Sequence, residues 1–267
     1  MGVVAHRMFK DQIYAQFARL GAAIASEKRL ELLDLLAQAP RNVEALAEEA
    51  EMSLANTSQH LQALKAARLV EAGRDGTRVI YRLASVDVLK LWLALRSVAE
   101  TRLAEVGQIS REFDLGGDAE ERVDRDQLEA MVSAGQAVVV DVRPSIEFEY
   151  GHLPDAVSAP VDELPSAAAE LPRDRKLLVY CRGAYCQFAD DAVAILRRAG
   201  FDAVRLEGGW PEWVVEGRPI SRDSVGSRST TTAHGGDVRV GGEGRKRTRR
   251  QVAASVPSQT QPRTRED

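Results

Sequence analysis

Two kinds of apolar spacing divide this 267-residue chain. After Ser26, a good helix N-cap, the leucines of residues 27–36 recur at helical spacing. Residues 137–140, Ala-Val-Val-Val, and 177–180, Leu-Leu-Val-Tyr, are instead continuous apolar runs. Such runs suit strands buried on both faces of a parallel sheet. The change predicts a multidomain chain, with a mainly α first part and an α/β second part.

In the first part, Pro40 ends the leucine helix, Asn42 caps a short helix over 43–50, and Ser53 caps a third over 54–67. Residues 70–73 and 78–83 read as strands. Asp75-Gly76 lies between them and is a strong hairpin signal. Helix, tight turn, helix and hairpin make a winged helix-turn-helix. The third helix is dense in short polar groups: Asn56, Thr57, Ser58, Gln59, His60, Gln62 and Lys65. Asn and Gln pair bidentately with adenine, and Ser, Thr and His reach bases or phosphates. Arg74 and Arg78 on the hairpin suit phosphate or minor-groove contact, so double-stranded DNA is the expected partner. A long helix over about 86–113 carries an apolar stripe that needs a partner. The helix around Ile13, Phe17 and Leu20, in the same or a second chain, is the candidate.

Charge follows the same division. Residues 1–96 carry 13 basic and 11 acidic side chains, residues 97–220 carry 13 and 24, and residues 221–267 carry 10 and 5. The acidic middle should face away from DNA. Residues 115–122 read as a linker between domains at 1–114 and 123–220, and the Ser-, Gly- and Arg-rich residues 221–267 as a disordered basic tail. No apolar run approaches the roughly 18 residues that span a membrane, and residues 1–10 lack a signal-peptide core. The expected location is cytoplasmic.

The only two cysteines bracket one loop, Cys181-Arg182-Gly183-Ala184-Tyr185-Cys186, between an apolar strand and an amphipathic helix. There, loop N–H groups and a helix dipole favour a thiolate. Two cysteines this close are neither a disulfide framework nor a zinc ribbon, and His6 and His60 make no metal site, so no metal or cofactor is called for. Cys186 either resolves Cys181 as a disulfide or is a small buried apolar residue. The residues alone leave both open.

The run from Met52-Ser53 to Leu69-Val70, followed by G-R-D-G-T-R-V-I-Y-R-L, resembles the ArsR/SmtB family of winged-helix repressors over roughly residues 8–100. The resemblance implies a homodimer on a palindromic operator, released by a chemical signal, with residues 56–60 as the recognition residues. The cysteine pair of metal-sensing members is missing from residues 50–53.

Residues 123–217 resemble the rhodanese family. The resemblance rests on Asp141-Val142-Arg143-Pro144, Glu147-Phe148-Glu149-Tyr150-Gly151-His152-Leu153-Pro154, Tyr180-Cys181-Arg182-Gly183 and Gly208-Gly209-Trp210-Pro211-Glu212-Trp213. It implies that Cys181 takes a sulfane sulfur from a donor such as thiosulfate as a persulfide and passes it to a thiol acceptor. Arg182 is then a candidate to hold the anionic donor, with Asp141, Arg143 and His152 supporting the site. Ala184-Tyr185-Cys186-Gln187 depart from the family's usual loop, leaving fewer hydroxyl and cationic groups. The alternative is a repressor whose second domain is a non-catalytic ligand or redox sensor.

Overall fold

The computed structural model describes residues 2–113 and 122–222. Its first part opens with α1 (Gly2–Ile24) and α2 (Glu27–Gln38). Ser26 takes the N-cap position of α2 with extended backbone but makes no side-chain capping bond. Strand β1 (Arg41–Asn42) leads into α3 (Val43–Glu49), where Asn42 accepts the Ala45 N–H at 2.8 Å. Helix α4 (Leu54–Ala66) is capped by Ser53, which accepts the Asn56 N–H at 3.3 Å. Strands β2 (Val70–Asp75) and β3 (Arg78–Leu83) form the predicted hairpin, closed by Arg78 opposite Asp75. With β1 they make a three-stranded antiparallel sheet, β1-β3-β2. Leu32, Leu36, Leu46, Leu61 and Leu64 meet in one core, which fixes α4 against α2 and α3.

The single long helix expected over 86–113 is two helices, α5 (Val86–Arg102) and α6 (Ala104–Glu112). Leu103 between them has extended backbone (φ −106°, ψ 104°), which no Gly or Pro signals in the sequence.

The second part is a five-stranded sheet in the order β4-β8-β7-β5-β6, parallel throughout. Its strands are β4 (Arg122–Val123), β5 (Ala137–Asp141), β6 (Val157–Ser158), β7 (Lys176–Cys181) and β8 (Ala203–Gly209). Its helices are α7 (Arg125–Ser133), α8 (Ser145–Tyr150), α9 (Leu164–Ala167), α10 (Gln187–Arg198) and α11 (Trp210–Val215). Strand β7 shows why its run is wholly apolar. Leu177, Val179 and Cys181 enter one core with Val193 and Leu196, while Leu178 and Tyr180 enter a second with Trp210 and Trp213.

Arg122, read as linker, pairs in β4, and Ser221, read as tail, bridges to His152. Arg222, also read as tail, lies 5.7 Å from the centre of the Tyr150 ring. The remaining linker and tail residues, 115–121 and 223–267, lie outside the described residues.

Candidate functional site

Strand β7 delivers Cys181 to its C-terminal end, and α10 begins at Gln187 with Cys186 in the N-cap position. The sulfur atoms of Cys181 and Cys186 are joined in a disulfide. Of the two readings of Cys186, this arrangement is the bonded one. Cys181 is 1% exposed, whereas Cys186 is half-buried.

The loop is held from several sides. The Cys186 N–H donates to the Gly183 carbonyl at 3.2 Å. Arg205 donates to the carbonyls of Gly183 and Ala184, each at 3.0 Å. Gly209 lies against the loop so closely that a Cβ there would stand 2.4 Å from the Cys181 carbonyl oxygen and 2.5 Å from the Gly183 nitrogen. Only glycine permits that approach.

Behind the strand end, Asp141 and Arg143 form a fully buried bidentate pair (Nε–Oδ1 3.0 Å, Nη2–Oδ2 2.7 Å). The Tyr180 hydroxyl donates to Asp141, and Arg143 lies 4.8 Å from the centre of the Trp210 ring. Arg143 also donates to the Gly151 carbonyl at 2.7 Å, fixing the turn before His152. His152 is stacked on Phe148 at 3.8 Å, with Nδ1 2.9 Å from the Phe148 carbonyl. All three are engaged in bracing.

Arg182, expected to hold an anionic donor, is already ion-paired. Its Nε donates to Glu147 at 2.9 Å, and its Nη2 is in ion-pair contact with Glu147 at 2.6 Å and with Glu49. Glu147 is wholly buried and is shared with Arg41. Burial pushes the Glu147 carboxyl above the usual range, and Arg182 and Arg41 oppose that rise.

Glu49 and Arg41 belong to the helix-turn-helix part, so the loop is built against it. The buried Gln38, at the end of α2, donates to the Arg182 carbonyl at 3.2 Å. Arg96 on α5 pairs with Glu212 on α11, and the Tyr185 hydroxyl donates to Glu100 at 2.9 Å. A cavity of about 300 Å³ lies between the two parts. Asp34, Trp92 and Arg96 form one wall and loop residues 182–188 the other. Trp92 Nε1 donates to Asp34 at 2.8 Å. Burial raises the Asp34 carboxyl, opposed by that bond and by Arg96 and Arg182.

None of Asp34, Gln38, Arg41, Glu49, Trp92 or Arg96 figures among the sequence candidates. They lie in an ordinary helix pattern, and only the docking of the two parts gives them a role at the loop.

On the opposite business of the chain, Asn56, Gln59, Gln62 and Lys65 are exposed along α4, with Ser58 and His60 half-buried. Thr57 departs from the expectation. It is fully buried and its hydroxyl donates to the Ser53 carbonyl at 3.0 Å, so it anchors the helix and cannot reach a base. Gln62 Nε2 lies 3.3 Å from the Tyr81 hydroxyl, tying α4 to the wing. Arg74 and Arg78 are exposed near the wing tip.

Residues 26–72 match the family described as "Bacterial regulatory protein, arsR family", and residues 124–216 match "Rhodanese-like domain". Over 211 residues the chain is 44% identical to the HTH-type transcriptional regulator Rv0324 of Mycobacterium tuberculosis, a match covering 79% of this chain and 92% of that one. The chain belongs to the ArsR-type regulators that carry a rhodanese-like domain.

This ArsR-type regulator is also 34% identical over 84 residues to a sulfurtransferase of Allochromatium vinosum, covering 31% of this chain and 77% of that one. A solution structure described as the homodimeric winged helix-turn-helix DNA-binding domain of a possible ArsR-family regulator from Mycobacterium bovis is 48% identical to it. That match covers 35% of this chain and 87% of that chain, with a TM-score of 0.34. In the ArsR-type regulator, the winged helix-turn-helix is the DNA-binding element and the cysteine loop sits in the rhodanese-like fold.

Proposed function

We propose that this regulator couples sulfane-sulfur chemistry at Cys181 to DNA binding by α4. The observation that carries the reading is the packing of the cysteine loop against the helix-turn-helix, through Arg182, Glu49 and Gln38. The Cys181 thiolate attacks the outer sulfur of a donor such as thiosulfate. The S–S bond of the donor breaks, sulfite leaves with the bonding electrons, and Cys181 carries a persulfide. The Cys186 thiolate then attacks the Cys181 sulfur, releasing hydrosulfide and forming the Cys181–Cys186 disulfide. The pairing of Cys181 with Cys186 in the loop supports this second step. An external thiol acceptor takes the outer sulfur in competition with Cys186. A dithiol reductant reopens the disulfide.

The working unit is a homodimer on a palindromic operator, in the cytoplasm. Helix α1 leaves Phe9, Tyr14 and Phe17 about 60% exposed or more, an apolar stripe that a second copy of the chain would cover.

The test follows the same sample two ways. Reduced protein is given a sulfane donor, the Cys181–Cys186 peptide is weighed for an added sulfur atom or a disulfide, and operator affinity is measured alongside. We expect the modification and the change in affinity to rise together and to be lost in Cys181→Ser. A modified protein that binds DNA like the reduced one would leave only sulfurtransfer. A protein that never takes up sulfur, yet responds to an oxidant through its disulfide, would be a redox sensor.

A further inference from the structure

We propose that the cavity between α2, α5 and the cysteine loop selects a sulfane-sulfur donor of low charge, an alkyl hydropersulfide in preference to dianionic thiosulfate, and that Asp34 of the DNA-binding part sets this choice. The proposal rests on the reading of Cys181 as sulfur acceptor and names the class of donor for that site.

Cys186 lines the cavity, and Cys181, bonded to it, is buried behind it. A donor that reaches this dithiol through the cavity must pass the wall formed by Asp34, Trp92 and Arg96.

Two guanidinium groups line the cavity, and both are matched by carboxylates. Arg182 is held by Glu147 and Glu49, while Arg96 is held by Glu212 and has Glu100 at 3.4 Å from its Nε. Asp34 adds a further carboxyl group, fixed in the wall by Trp92 Nε1. Residues 184–187 contribute no cation. A dianion entering here would lose hydration without gaining an unmatched positive charge, and would face a fixed carboxylate. Trp92 and Phe188 meanwhile offer aromatic surface to an alkyl group.

The chemistry fits a donor that carries less charge than thiosulfate. The Cys181 thiolate attacks the outer sulfur of R–S–SH and forms the new S–S bond. The S–S bond of the donor breaks, and the alkyl thiolate leaves with the electron pair. The proton of the new hydropersulfide passes to that thiolate, so Cys181 ends as a persulfide anion beside a neutral thiol. No external oxidant or reductant is needed.

The experiment uses the full chain, reduced and freed of reductant. A small alkyl hydropersulfide and thiosulfate are supplied separately at equal concentration, and the rate of sulfur addition to the Cys181–Cys186 peptide is read by mass spectrometry. The hydropersulfide should react faster by about tenfold or more, equivalent to about 1.4 kcal/mol. Asp34→Asn should narrow that ratio by accelerating thiosulfate. Glu100→Gln, at an exposed position, should narrow it in the same direction by leaving Arg96 with Glu212 as its one carboxylate partner. Equal rates for the two donors in the wild type, or a ratio unmoved by both variants, would overturn the proposal while leaving Cys181 as a sulfur acceptor. Failure of both donors to add sulfur would overturn the acceptor reading itself.

Discussion

Arg182, the neighbour of Cys181, shares its guanidinium between Glu147 of the rhodanese-like part and Glu49 at the C-terminal end of α3. One residue therefore touches both the cysteine loop and α3, the helix that precedes α4. A change of loop conformation on making or breaking the disulfide would be felt by that pair directly.

Glu49→Gln tests the connection. It keeps the shape and removes the charge, so operator affinities of the reduced and disulfide forms should converge. Coupling energies of this kind are about 1–3 kcal/mol. Fluorescence anisotropy at fixed salt is the measurement, and an unchanged difference between the two forms would remove Glu49 from the path.

Glu147→Ala should be severely destabilising. It leaves Arg41 and Arg182 without their shared buried carboxylate. Removing one partner of a buried pair costs about 3–5 kcal/mol, to be read from urea denaturation of the reduced protein. A loss below about 1 kcal/mol would mean that water replaces the carboxylate.

Asp34 gives a pH signature. Burial holds its carboxyl above the ordinary value, so the folded protein binds that proton more tightly than the unfolded chain. As pH rises through the interval from the unfolded pKa to the raised folded pKa, the folded state loses stability from this group. Asp34→Asn lacks the effect and retains an oxygen that can accept from Trp92. The variant should therefore be more stable than wild type near neutral pH, with its advantage shrinking on acidification through that interval. Paired thermal melts across pH decide it, and a constant difference would contradict the assignment.

How much of this could be read from the chain differs between its parts. The helical leucines at 30–36, the caps at Asn42 and Ser53, and the Asp75-Gly76 turn are local signals, and each marks an element that forms. The apolar runs around 138 and 178 likewise disclose a buried parallel sheet, and spaced motifs disclose its family. Thr57 and Arg182 were not legible as they stand. A polar residue on a recognition helix reads as outward-facing until the register of Leu61 and Leu64 against the core is known. Arg182 beside a reactive cysteine reads as a substrate ligand until Glu49, over a hundred positions earlier, is seen beside it. The break at Leu103 has no compositional mark. Contacts between distant segments leave no periodicity behind, so the shared cavity wall was invisible.

For the DNA interface, Gln59→Ala should lower specific affinity by about 1–3 kcal/mol with little effect on non-specific binding. Arg74→Ala and Arg78→Ala should each reduce the salt slope by about 1. Thr57→Val, in contrast, should act on the melting temperature. Salt titrations of operator and scrambled DNA separate these outcomes, and a Gln59→Ala variant that weakens both DNAs alike would make Gln59 a phosphate contact.

Phe17→Glu should yield a monomer. It places a charge in the exposed apolar stripe of α1. Sedimentation at micromolar concentration is the check, and a persistent dimer would move the interface off that helix.

The sharing of Glu147 between Arg41 and Arg182 bears on how such a protein is taken apart in the laboratory and assembled in evolution. A chain severed between residues 113 and 122 would leave Glu147 with one of its two arginines gone, and a cysteine loop stripped of its far wall. The two halves are consequently not interchangeable cassettes. A swap of either for a homologue carries the seam with it, and α2, α3 and α5 must be exchanged together with the loop they enclose.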